Sequence, residues 1–134
     1  MNKNDYTTWL EIDLGAIENN VRQLLSLTGV PVMAVIKANG YGHGMVEVAR
    51  AAEEAGSTWC GVARFEEALA LRQAGIKTHI LVLGFTPPGR VPEALHHDIS
   101  LAVFNLDVAA TYAARALEHG ASLKVHVKFD SGMG

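Results

Sequence analysis

The chain has 134 residues, is 49% hydrophobic and 19% charged, and carries a net charge of -3. That suits a soluble globular domain with a real core and excludes the basic excess of a nucleic-acid-binding surface. No apolar run approaches membrane-spanning length, the opening MNKNDYTTWLEIDLG lacks the apolar core of a secretory signal, and a single cysteine excludes an internal disulfide framework.

A reducing cytoplasm is the expected location. In TWCGVA, Cys60 reads as a small buried hydrophobe rather than a reactive thiol. Along the chain, residues 1–30 read as a leading strand, TWLEIDL, running into a first helix. Asp13 is placed to cap that helix, and Ile17, Val21, Leu24 and Leu25 share one helical face. Five β-rich runs follow: VMAVIK, TWCGVA, HILVLG, SLAVF and KVHVKFD. Helical spacing between them predicts helices over 45–55 and 64–74, a short one opening at Val91-Pro92, and one over 107–119. Gly29, Gly56, Gly75 and Gly120 stand where helices stop, since glycine takes the left-handed cap conformation without strain.

Strands alternating with helices mean a parallel sheet with helical crossovers, an α/β fold. Two architectures accommodate it. A flavodoxin-like sheet uses five parallel strands but normally begins on a strand and ends on a covering helix. A (β/α)8 barrel needs eight strands and about 250 residues. On the barrel reading, residues 31–134 supply strands 1–5 of an incomplete barrel.

In both folds chemistry sits at the C-terminal ends of the strands. There, in VMAVIKANGYGHG, alternation puts Met33, Val35 and Lys37 on one face, and glycines follow at 40, 42 and 44. A lysine against apolar walls gains free amine for use as nucleophile or base, whereas an ordinary strand-end lysine snorkels into water. The glycines let backbone approach a bound anionic group. Neither a dinucleotide fingerprint nor a Walker loop fits, because Met45 stands where the third glycine belongs and no Gly-Lys-Ser/Thr follows. A lysine, a neighbouring phenol and a phosphate-tolerant loop would suit pyridoxal phosphate, one option among several.

AVIKANGYGHG resembles the pyridoxal-phosphate lysine motif of the alanine racemases, whose usual form has alanine at the Gly40 position. TTWLEIDLGAIENNV resembles that family's opening, GVARFEEALALRQAGI its second unit, ILVLGFTPP its third, and KFDSGMG the segment after its fifth strand, usually written with threonine at Ser131. The resemblance implies a fold-type III enzyme with an N-terminal barrel, a C-terminal β domain and an active site completed across a homodimer. It implies that Lys37 forms the Schiff base and acts as one of two bases, that Tyr41 lies near the cofactor phosphate, and that Val35 and Leu83 line the cofactor. Lys128 matches a lysine that many members carry as a carbamate, which requires a desolvated amine.

The implied reaction is the interconversion of L- and D-alanine, a source of D-alanine for peptidoglycan, with no nucleic acid or membrane involved. The family's opposite-face tyrosine, its arginine at the pyridine nitrogen, most phosphate ligands and the β domain fall beyond Gly134, so the 134-residue chain is expected to be inactive alone. Alternatives are a broader racemase acting on serine as well, and a non-catalytic pyridoxal-phosphate-binding protein. His43 has no role beyond packing or a local hydrogen bond, and His96, His97 and Asp98 lack supporting metal-ligand spacing. Trp9 and Trp59 are expected to pack, and the pairs Glu53-Glu54 and Glu66-Glu67 to face solvent.

Overall fold

The computed structural model describes residues 7–132. Five strands, β1 (Met33–Val35), β2 (Trp59–Val62), β3 (His79–Val82), β4 (Ile99–Val103) and β5 (Val125–Val127), form one sheet in the order of the chain. Every pairing is parallel. Strand order equal to chain order means that each crossover steps the same way and no switch point exists. That is the winding of a (β/α) barrel, whereas the flavodoxin-like order reverses after its first strand. The sheet is therefore a partial barrel.

The helices are α1 (Leu14–Thr28), α2 (Lys37–Tyr41), α3 (Met45–Glu54), α4 (Phe65–Gln73), α5 (Val91–His96) and α6 (Leu106–Glu118), with a 3-10 turn at Pro88–Arg90. Asp13 caps α1 by accepting from the Ala16 N–H, and Asn105 caps α6 by accepting from Val108. Gly29 ends α1 in the left-handed conformation, at φ 65°. The core lies between the outer face of the sheet and the helices. Cys60, Val62, Ile80, Val82, Ile99, Leu101 and Val103 pack against Met45, Ala49, Phe65, Ala68, Leu71 and Tyr112. Each of the larger side chains contributes roughly 1.5–3 kcal/mol by leaving water.

Two clamps hold the N-terminal ends of the strands. The Arg72 guanidinium donates to the carbonyl oxygens of His97, Ile76, Thr78 and Asp98. Glu53 accepts from the N–H groups of Lys77 and Thr78. Glu53 therefore does not simply face solvent: it satisfies the turn that feeds β3. At the other end, the Tyr112 hydroxyl donates to the Thr86 carbonyl at 2.6 Å and accepts from the Thr86 N–H at 3.2 Å, tying the loop after β3 to α6.

Three expectations need correction. Among the described residues ahead of α1, 7–13 form no strand, because no strand of the sheet lies beside them to pair with. Trp9 is exposed, its indole N–H donating to Glu11, rather than packed. On α1, Val21 and Leu25 pack against Ala52 and Ala55 and Ile17 is half-buried, while Leu24 is left exposed.

Candidate active site

β1 is shorter than its apolar run. Ile36 still donates to the Gly61 carbonyl at 2.9 Å and is buried, but Lys37 already belongs to the following turn. The strand-face position read for Lys37 is thus corrected: it stands half-buried two residues past the strand. The turn is left-handed. Ala38 (φ 52°, ψ 51°), Asn39 (55°, 45°) and Gly40 (62°, 36°) are followed by Tyr41 at φ 53°. Successive left-handed residues cost about 1–2 kcal/mol each outside glycine, so three non-glycine residues in this region need outside support.

Neighbouring groups supply it. The Asn39 side-chain oxygen accepts from the Met45 N–H at the start of α3. The His43 ring nitrogen Nδ1 lies 3.0 Å from the Gly40 carbonyl oxygen, the local bond expected of that residue. The Glu67 carboxylate accepts from the Ala38 N–H at 2.8 Å with one oxygen and from Ala63 and Arg64 at 2.9 and 3.0 Å with the other. Glu67 is buried rather than solvated. Burial, the largest single influence, would push its carboxyl up, yet the N–H groups of Arg64, Ala38 and Ala63 and the Arg64 charge together hold it below its ordinary 4.5. Sequence spacing missed Glu67 because its partner at Ala38 is remote in the chain. The capping geometry at the start of α4 was the only local signal.

Within this arrangement the Lys37 amine lies 4.9 Å from the centre of the Tyr41 ring. On the inner face of the sheet, Gly61 leaves a cradle. A Cβ there would meet Met33 Sδ at 3.1 Å and Leu83 Cδ1 and Val35 Cγ2 at 3.4 Å, so Val35 and Leu83 converge over one bare backbone position. Leu83 also lines a cavity of about 360 Å³ with Leu81, Ala102, His126, Val127 and Lys128. Lys128 is itself exposed on the cavity wall, its N–H donating to the Val103 carbonyl. Deeper on the same face Trp59 sits between His79, tilted at 35°, and His126, edge-on at 69°, with both ring centres at 4.8 Å.

The five expected site residues thus stand at the C-terminal end of the sheet, Lys37 beside Tyr41, Val35 beside Leu83, and Leu83 beside Lys128. His96 and His97 meet edge to face at 4.7 Å, Asp98 pairs with Lys124, and among the described residues no three His, Cys, Asp or Glu side chains gather as metal ligands. A cofactor with an aldehyde and a flat ring needs an amine, an apolar slot and open backbone beside it. The Lys37 amine meets the first need, and Val35 and Leu83, packed over the bare Gly61 backbone, offer an apolar wall beside it.

Fold and site together define a barrel-type α/β domain with an amine at the mouth of its first strand. A family model described as alanine racemase, N-terminal domain, matches residues 12–134. The chain belongs to that family. It is 48% identical over 128 residues to an alanine racemase of Desulforamulus reducens, covering 94% of this chain and 35% of that protein. An alanine racemase of Symbiobacterium thermophilum is 44% identical, with 95% and 34% covered. Among solved structures, alanine racemase from Bacillus anthracis with bound L-Ala-P superposes with a TM-score of 0.86 at 43% identity, over 95% of this chain and 33% of that one. The chain spans about a third of the length of the curated relatives it matches. No helix among the described residues is long and apolar enough to cross a membrane.

Proposed function

We propose that this chain is the lysine-bearing part of a pyridoxal-phosphate-dependent alanine racemase whose complete form interconverts L- and D-alanine. The observation that carries the reading is Lys37, held at the end of β1 by a strained turn with its amine over the Tyr41 ring. Strain of this kind concentrates where a side chain has a task. Lys37 would hold the cofactor, whose electron-withdrawing ring would acidify the α-hydrogen of an amino acid that takes the lysine's place on it, releasing the Lys37 amine.

The chain's own residues do the rest on one side. Lys37 Nζ takes up or returns the α-proton on its face of the substrate. Val35 and Leu83, packed over Gly61, would form an apolar wall that keeps water from the ring. Tyr41 and the glycine-rich backbone of residues 40–44 would hold the cofactor's phosphate. Lys128 joins as a carbamate only where a further segment covers it, since that chemistry needs a desolvated amine and Lys128 is exposed here.

Residues 1–134 form the front of the barrel domain on this reading. The opposite-face base and the β domain lie elsewhere in the complete protein, and a second subunit completes the site. The complete enzyme works in the cytoplasm and supplies D-alanine for peptidoglycan. The 134-residue chain alone is expected to take the cofactor without racemising alanine.

Incubation of the purified chain with pyridoxal phosphate, borohydride reduction and peptide mapping test the reading. One dominant adduct on Lys37 is expected. Adducts spread evenly over the lysines would overturn Lys37 as the cofactor amine in this chain.

A further inference from the structure

The Glu67 carboxylate reaches further than a helix cap requires. One oxygen serves the start of α4 through Ala63 and Arg64, while the other crosses to the Ala38 N–H, 29 residues away in sequence. Ala38 is the first residue of the left-handed run and adjoins Lys37. On the other side of Lys37, the Ile36 N–H is bonded to the Gly61 carbonyl. The backbone around the lysine is therefore pinned to the β2–α4 segment at two points, one a sheet bond and the other a partly buried charge-assisted bond.

We propose that Glu67 is a positioning residue for Lys37: its carboxylate ties the loop after β1 to the loop after β2 and holds the left-handed turn that sets the amine over the Tyr41 ring. The inference rests on Lys37 being the cofactor-bearing amine. A charged oxygen is required because three N–H donors converge on one side chain. The amide of Glu67→Gln offers a single accepting oxygen and turns its own N–H groups toward a donor, so either Ala38 or the α4 terminus loses its partner. A residue that only capped α4 would affect stability and leave Lys37 where it is.

The test compares the purified chain with Glu67→Gln, Ala38→Gly and the double variant. Glycine adopts the Ala38 conformation without strain, so it relieves what Glu67 is proposed to hold and restores no helix cap. Two readouts follow Lys37. One is the ring-current shift of its side-chain protons by Tyr41, which needs no cofactor. The other is the ratio of pyridoxal-phosphate adduct on Lys37 to that on Lys77 after borohydride reduction. Glu67→Gln should abolish the ring-current shift and lower the adduct ratio about tenfold, the scale of one lost charge-assisted bond. The added Ala38→Gly should recover most of both without recovering the urea midpoint.

An unchanged ring-current shift in Glu67→Gln, or a loss that Ala38→Gly does not recover, would overturn the proposal. Where Glu67→Gln does not fold, Glu67→Asp decides: its shorter carboxylate keeps the charge at the start of α4 but does not span to Ala38, and an unchanged ring-current shift in it overturns the proposal. A wild-type chain that shows the ring-current shift but no preference for Lys37 over Lys77 would defeat the cofactor reading. The ring-current comparison would still decide the role of Glu67.

Discussion

The side-chain oxygen of Asn39 accepts a hydrogen bond from the Met45 N–H at 3.0 Å, so a residue in the middle of the left-handed turn also satisfies the first N–H of α3, whose N-cap position is held by Gly44. Asparagine tolerates that backbone region better than most residues, and its short side chain reaches a helix N-terminus. Asn39→Ala loses both advantages and is expected to cost about 2 kcal/mol, whereas Asn39→Gly keeps the backbone freedom and costs about half as much. Urea denaturation of the two variants side by side checks the order.

Arg72 binds four carbonyl oxygens at 2.7 to 3.1 Å with one guanidinium. Arg72→Met should destabilise the chain by about 3 kcal/mol, because several carbonyls lose a charged donor at once. Arg72→Lys should recover less than half of that, since an ammonium has no planar fork. Thermal melts of both, with adduct formation at Lys37 compared below the melts, separate stability from the site. The site should be unaffected, because the clamp lies at the opposite end of the strands.

Acid should weaken the fold through Glu67. Its carboxyl is held below 4.5 in the folded chain, so the unfolded chain binds more protons as the pH falls. Its contribution to stability is full above the unfolded value and is lost as the pH drops through the lower, folded value. Urea midpoints of the wild-type chain and Glu67→Gln should differ most near neutrality and converge as the pH falls through the lowered, folded value. A constant gap would mean that the carboxylate charge is not what stabilises.

Tyr112→Phe removes a hydroxyl that both donates to and accepts from the buried Thr86 backbone. The ring still fills its place, so the loss should be about 2 kcal/mol, most of it from the stranded Thr86 groups. Faster amide exchange at Thr86 would locate the effect in the loop after β3.

Cys60 is fully buried and its thiol is pushed up from 9.0, mainly by burial, while its hydrogen bond to Thr78 pulls the other way. A disulfide reagent at neutral pH should therefore modify it only as fast as the chain opens. Reaction rates that rise in step with urea unfolding are expected; fast labelling in buffer alone would contradict the buried placement.

Much of this molecule was legible without coordinates. The alternation of β-rich runs with helical spacing marked all five strands, and the glycines after α1, α3, α4 and α6 marked helix ends, because those signals are local. Asp13 was identified as a cap for the same reason. The expected strand at 7–13 was not found, since a strand exists only beside a partner and periodicity says nothing about partners. Lys37 was placed one element too early, because the left-handed turn that claims it is supported from α4. Glu67 and Glu53 were read as solvated for an equivalent reason: their acceptors' work is done for backbone N–H groups far along the chain or in the next turn.

The sequence by itself determined the α/β class, the approximate elements and the lysine motif, all of which rest on neighbours within a few residues. Only the tertiary structure decided that strand order follows chain order, that Val35 and Leu83 meet over Gly61, and that one buried carboxylate joins the loops after β1 and β2. Those are contacts between segments brought together by packing, and a chain read one residue after another does not carry their distances.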